Sequence, residues 1–353
     1  MIIEELAVRT VEFQSESPYK VLVILGILTA MVLPGATMLD IKPSTEAILP
    51  ADDPVVESLD TLRAKFAGDT TYMLISDKND IRNVDNFESM LRVQNRVENS
   101  ENVISSTSPA SMLQNEYGEV PDDSDALEQF DYRSMVAEDG KTAVIAFRAD
   151  TQASSSEIRR LHNDIQQAAD SEFLRSQYHL TGYNMIDLAT FEVIISDFMT
   201  ITVVSFTAVL GVLYAVFRDP RKMIYPVVPV MFALIWMLGL GGYLGANLTI
   251  ISMVSAAMIM GLGIDFGIHV TKKYFGTRRG TEGMSETMTE LSRGLLGGAT
   301  TTGVGFLALL AANLTGMHSL GIFLFTGIIS AYIGATILLP TLILLSDGRE
   351  SIV

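Results

Sequence analysis

The chain has 353 residues, is 48% hydrophobic and carries a formal net charge of −17. Its mean hydropathy is +0.33, and the apolar residues are gathered in long runs, which excludes an ordinary soluble globular protein and points to the membrane class. There is no cysteine, so disulfide frameworks and thiol chemistry are excluded, and the acidic balance argues against nucleic acid as a partner.

Residues 1–20 form an N-terminal segment assigned to the cytoplasm. Ile2, Ile3, Leu6, Ala7, Val11 and Phe13 fit one side of a short helix on the membrane surface, and a solvated leader is the alternative. Residues 21–39 are the first span, just long enough for a hydrocarbon core of about 30 Å. The run ends in Pro34-Gly35-Ala36-Thr37 with no Ala-x-Ala-like cleavage site, so it reads as a retained span and not a signal peptide.

Residues 40–192 hold 29 acidic and 13 basic side chains, a balance of −16, so nearly all the acidity belongs to this one segment. Periodicity predicts strands at Thr71–Ile75, Val103–Ser105, Thr142–Arg148 and Tyr178–Thr181. Helices are expected at Val84–Asn99 and Ser154–Ser171, the latter opened by a Ser-Ser-Ser-Glu capping signal. The order β-α-β, β-α-β matches a ferredoxin-like α+β unit. An insertion from Pro109 to Gly140 separates its halves as a loop with short helices.

Five further apolar runs follow, at residues 193–217, 224–244, 248–270, 295–312 and 320–345, the last long enough to tilt. Residues 346–353 are the tail. Arg218, Arg221 and Lys222 join the second and third spans, and Lys272, Lys273, Arg278, Arg279 and Arg293 lie between the fourth and fifth. The remaining loops, at Gly245-Ala246-Asn247 and Asn313-Leu314-Thr315, carry no Lys or Arg. The positive-inside rule then predicts a multi-pass protein of the cell membrane with both termini cytoplasmic and residues 40–192 extracytoplasmic.

Within the fourth span stands Gly261-Leu262-Gly263-Ile264-Asp265-Phe266-Gly267-Ile268-His269. A carboxylate at the centre of a bilayer costs roughly 3 kcal/mol or more, so such a residue faces a cavity or partner and has a task. The functional reading of Asp265 is a proton-titrating group fed by hydroxyls or water, and the plain alternative is a structural carboxylate bonded to a hydroxyl. Gly261, Gly263 and Gly267 thin the helix for close packing. Thr300, Thr301 and Thr302 lie seven to nine residues beyond Arg293 on the fifth span, which is roughly the depth of Asp265 at 1.5 Å per residue. They read either as a hydroxyl relay facing the carboxylate or as ordinary helix-contact residues. His269, four residues after Asp265, shares its face and is either a proton shuttle or an interfacial histidine. Asp197 suits the headgroup level at the outer end of the second span. Asn247 and Asn313 each match a glycosylation sequon by chance-level patterning. No phosphate loop, zinc spacing or Ser-His-Asp set is present, so the reading is not an enzyme and calls for no cofactor and no metal.

The Gly261-to-His269 stretch, the Gly298-Ala299-Thr300-Thr301-Thr302-Gly303-Val304-Gly305 stretch and the Phe217-Arg218-Asp219-Pro220-Arg221 turn resemble the RND superfamily. The likeness is to its MmpL-type branch and to relatives with a sterol-sensing-like bundle, and it covers the whole chain. It implies a six-span RND-type bundle with a porter-like outer domain between spans one and two. It also implies Asp265 as the proton- or cation-coupling carboxylate and a hydrophobic or lipid-like small molecule as cargo. Two features depart from the branch. Phe266 stands where a Tyr often follows the Asp, which leaves any relay to Thr301, His269 or water. The chain also has one half of the usual twelve spans, which implies a homo-oligomer, with a dimer favoured, or a separate partner chain. The resemblance therefore implies a secondary transporter or exporter. The alternatives are a lipid-binding or sensing module without transport, and a SecD/SecF-like translocation accessory, whose paired fourth-span acids are not found here.

Overall fold

The computed structural model describes residues 2–42, 48–50, 52–66, 68–100, 103–149, 155–175 and 177–350. Two compact units emerge, residues 1–50 with 193–353, and residues 51–192. In chain order, helix α1 (Ile2–Glu16) leads into α2 (Pro18–Val32), which tightens into a 3-10 turn at Leu33–Met38, and α3 (Pro54–Phe66) follows. Next come β1 (Thr70–Ser76), α4 (Val84–Glu98), β2 (Val103–Thr107), α5 (Pro109–Tyr117), α6 (Ser124–Gln129), β3 (Thr142–Ala149), α7 (Ser155–Asp170) and β4 (Tyr178–Gly182). The helices α8 (Tyr183–Phe217), α9 (Pro220–Tyr243), α10 (Ser255–Gly276), α11 (Gly280–Leu307), α12 (Thr315–Ile333) and α13 (Leu339–Glu350) complete the chain, with a π-turn at Gly334–Leu338 between the last two.

In the smaller unit the sheet order is β2-β3-β1-β4 with every neighbouring pair antiparallel. That is the split βαβ arrangement of a ferredoxin-like domain. Alternation along β1 and β3 puts Met73, Ile75, Ala143, Ile145 and Phe147 on one face, against Phe87, Met90 and Val93 of α4 and Leu161 and Ile165 of α7. The starts of α4 and α5 are written in the sequence: Asn83 accepts from the amide of Asn86, and Ser108 and Ser111 close a reciprocal capping box behind Pro109. The capping serine expected at Ser154 lies outside the described residues. Helices α5 and α6 occupy the expected insertion. There Tyr132 donates to the Leu127 carbonyl at 2.5 Å, and burial pushes its phenol up to about 12. Nearby, Arg82 grips Asp80 through Nη2 and Oδ2 at 2.5 Å, and that hydrogen bond holds the carboxyl below its usual range.

Among the described residues six helical stretches are long and apolar enough to cross a membrane: Pro18–Met38, Tyr183–Phe217, Pro220–Tyr243, Ser252–Gly276, Gly280–Ala311 and Thr315–Asp347. Several differ in extent from the apolar runs. Helix α11 begins at Gly280, not Leu295, because the polar stretch before Leu295 buries one face, through Met284, Thr287, Met288 and Ser292, which holds it helical despite its Gly, Ser and Thr content. Helix α10 begins only at Ser255. Before it, the Ser252 hydroxyl donates to the Asn247 carbonyl at 2.9 Å and accepts from the Thr249 amide at 2.8 Å, holding a turn in place of the helix expected from Leu248. Leu248 pairs there with the strand leaving the first span: its amide donates to the Asp40 carbonyl at 2.8 Å, and its carbonyl accepts from Lys42 at 3.0 Å.

Helix α9 is the hub, and small residues set its distances. A Cβ at Gly239 would strike the Val32 carbonyl, and one at Gly242 the Gly35 carbonyl, so the first span and α9 touch backbone to backbone. Pro226 and Pro229 interrupt the α9 ladder. Pro226 seats on Gly267 of α10 and Pro229 on Gly334 of the π-turn.

The N-terminal segment forms the short helix expected and is not a solvated leader, because it docks on the bundle. Helix α1 packs on α11 and α13, with Val11 at 1% and Gln14 at 0% exposure. Gln14 Nε2 donates to the carbonyls of Thr336 and Ile337 at 3.2 and 3.3 Å. These carbonyls lie in the π-turn, and that of Ile337 also accepts from the Thr341 hydroxyl at 2.7 Å. Helices α1 and α13 thus meet at one end of the bundle.

Candidate functional site

The candidate site grows from the geometry of α10. Residues four apart share a helix face, so Gly261, Asp265 and His269 line up on one exposed side. Gly263 and Gly267 point the other way. A Cβ at Gly267 would lie 2.8 Å from the Pro226 Cα, and one at Gly263 would lie 3.0 Å from the Ala331 Cβ. Gly261 has nothing within 4 Å of its Cβ position. The expectation that all three glycines serve close packing within the chain therefore needs correcting: Gly263 and Gly267 do so, and Gly261 faces outward.

Asp265, His269 and Phe266 line a cleft of about 400 Å³ whose far wall is α11, through Gly294, Gly298 and Thr302. Glycine at 294 and 298 keeps that wall low, and Asp265 and Thr302 line one open space. Phe266 is 9% exposed. It forms the floor and meets Tyr332 of α12 edge-on, with ring centroids 6.4 Å apart at 83°.

The structure divides the threonine cluster. Thr302 lines the cleft. Thr301 is exposed, and its hydroxyl donates to the carbonyls of Gly297 and Gly298 at 2.9 and 3.2 Å. Thr300 is exposed on another side of the helix. Successive helical residues are about 100° apart, so three in a row cannot converge on one carboxylate, and a relay through all three is not what this geometry offers. Asp197 is half-buried on α8. In the Asn247 sequon, Thr249 is 2% exposed inside its turn. Among the described residues no group of three or more His, Asp or Glu side chains is placed to hold a metal ion.

A tie at the termini end of the bundle stiffens the helices that carry the cleft. The Tyr274 hydroxyl donates to the Asp347 carboxylate and accepts from the Gly280 amide, the latter at 2.9 Å. Tyr225 and Ser346 hydroxyls meet at 2.9 Å. Several of the basic residues that set the predicted orientation are paired: Lys273 with Glu290, Arg279 with Asp347 at 3.9 Å and Arg293 with Glu4 at 3.2 Å. Tyr332, Tyr274 and Asp347 were not legible as site residues: Tyr332 and Asp347 lie far in sequence from Asp265, and Tyr274, on the same helix, acts through a partner on α13. The one available signal was that Asp347 and Tyr274 are polar groups at the ends of apolar runs.

Comparison with known proteins bears on these features. The family model of the MMPL family matches residues 47–351. A sequence of Methanocaldococcus jannaschii, named only as a membrane protein, is 25% identical over 370 residues, covering 98% of this chain and 95% of that one. With six membrane-length helices, a ferredoxin-like unit after the first of them and a family match over most of its length, the chain belongs to the MMPL family.

Proposed function

We propose that the chain is a half-size RND-type secondary transporter that moves a hydrophobic or lipid-like molecule, driven by a proton or cation gradient through Asp265. The observation that carries this reading is the cleft in which Asp265, His269 and Thr302 share one open space. Proton or cation binding there changes the charge between α10 and α11 and so alters how they pack. His269 serves as the step toward the termini side and Thr302 as the hydroxyl across the cleft. The termini side is taken as cytoplasmic from the distribution of Lys and Arg, which places residues 40–192 outside the cell membrane.

The same cleft supports a homodimer. Asp265, His269 and Gly261 of α10 and Gly294 and Gly298 of α11 are all exposed on the α10–α11 face of the single chain. Acyl chains cannot solvate a carboxylate, so protein covers this face in the membrane. A second copy is the simplest cover for a six-span chain in a family built of paired halves. One observation favours a lipid-sensing module without flux: Phe266 offers the site no hydroxyl of its own.

The deciding experiment is Asp265→Asn in proteoliposomes under an imposed pH gradient, with fluorescent lipid as cargo. Gradient-driven flux is expected to fall to background while folding and oligomeric state stay as in the unmodified protein. Full flux by that variant removes the coupling role. Lipid binding without flux by the unmodified protein selects the sensing module.

A further inference from the structure

A second cavity, of about 270 Å³, lies beneath α1, away from the Asp265 cleft. Leu6 and Thr10 roof it, Ser292 and Leu296 of α11 form one wall, and Tyr332 and Thr336 form the other. Three of its hydroxyls are already engaged on their own helices: Thr10 to the Leu6 carbonyl at 2.8 Å, Thr336 to the Tyr332 carbonyl at 2.8 Å and Ser292 to the Thr289 carbonyl at 3.3 Å. Among the described residues the Tyr332 hydroxyl has no hydrogen-bond partner, so one donor is left over. No charged side chain lines the cavity. The nearby Glu4 and Arg293 neutralise each other at 3.2 Å.

The cavity's surroundings identify what fills it. Helix α1 keeps Ile3, Leu6 and Phe13 exposed at 38%, 61% and 49%. Ile3 and Leu6 also line the cavity, so these exposed apolar side chains stand at its rim, and such a rim suits the acyl boundary of a bilayer; the cavity opens toward lipid. The roof is fixed and not loosely laid: Gln14 holds the π-turn carbonyls, and the Ser15 and Thr281 hydroxyls meet at 2.7 Å.

We propose that this cavity binds a neutral single-chain amphiphile taken from the leaflet beside α1, its hydrocarbon chain on the apolar walls and a hydroxyl or carbonyl oxygen accepting from Tyr332. An uncharged lining disfavours a phosphate or carboxylate headgroup, since an unpaired buried charge is costly. The occupant touches one edge of Tyr332 while Phe266, in the floor of the Asp265 cleft, touches its ring. Occupancy is therefore felt next to Asp265. The site does not depend on Asp265 being a coupling residue, and its test reads binding without flux.

The test uses the full-length protein in phosphatidylcholine vesicles, with hexadecanol carrying a mid-chain diazirine as the probe. After photolysis, label is expected to concentrate in the peptides spanning residues 6–11, 288–296 and 332–337. Excess plain hexadecanol should lower it about five-fold, and hexadecyl phosphate should not. Ala7→Phe, which fills the cavity, should reduce label about five-fold, and Tyr332→Phe should weaken hexadecanol competition about five-fold, as loss of one hydrogen bond predicts. If Ala7→Phe does not elute as the unmodified protein, Thr10→Met carries the same expectation. Label spread evenly over the membrane helices, label undiminished in a folded cavity-filling variant, or equal competition by the phosphate overturns the proposal.

Discussion

Asp265 shares its cleft with one threonine and one histidine because helical spacing selects them. Thr302 sits on the α11 side that faces α10, while Thr301 spends its hydroxyl on Gly297 and Gly298 of its own helix. The difference predicts unequal effects of two conservative changes. On the proposed relay, in which Thr302 bonds the Asp265 carboxylate during transport, Thr302→Val should slow gradient-driven uptake about ten-fold, the scale of one hydrogen bond to a charged group, and Thr301→Val should leave the initial rate within about two-fold. Equal losses would remove Thr302 from the site. At this scale the sequence carried much of the site: an acid in an apolar run between glycines is conspicuous, and His269 follows from the period of the helix. The rest was not legible. Three adjacent threonines have equal chemistry, and only the helix phase relative to α10 separates them. Tyr332 reaches Phe266 from 66 residues away along the chain, and no local pattern marks such a contact.

Helices in this bundle meet where side chains are missing, and the glycines of α10 divide into two roles that mutation separates. Gly267→Ala puts a Cβ 2.8 Å from the Pro226 Cα, against backbone that cannot yield without moving α9. Overpacking of this kind costs about 1–3 kcal/mol, so thermal unfolding in detergent should shift down by several degrees. Gly261→Ala meets open space. Its only intrinsic effect is the helix preference of Ala over Gly, about 1 kcal/mol in favour of folding, and the melting temperature should hold or rise. A drop for Gly261→Ala equal to that for Gly267→Ala would contradict the assigned packing. The spans themselves were legible because hydropathy alone locates runs of 20 apolar residues. Helix α1 was legible as a short amphipathic helix but its docking was not, since a helix that docks on its own bundle has the same amphipathic pattern as one that docks on lipid. Its partners are the carbonyls of a π-turn, which no residue type announces.

The whole molecule offers membrane lipids two kinds of surface, and only one of them tolerates lipid. Val212 on α8 is 57% exposed within an apolar helix, an ordinary acyl contact. Leu262 is 38% exposed and stands beside Asp265, where a second copy is proposed. The chain has no cysteine, so single-cysteine variants report cleanly. Leu262→Cys should cross-link to a second copy in native membranes with a short bis-maleimide, and Val212→Cys should not. The reverse pattern would place the subunit contact elsewhere. A last consequence follows from the two hydrogen bonds between Leu248 and the strand at Asp40 and Lys42. They join the chain where it leaves the first span to the turn seven residues before α10 begins at Ser255. Tension along residues 40–42 pulls on parallel backbone pairs and is delivered to the start of the helix that bears Asp265. The bundle therefore contains a short tendon, and its load path ends on the acid.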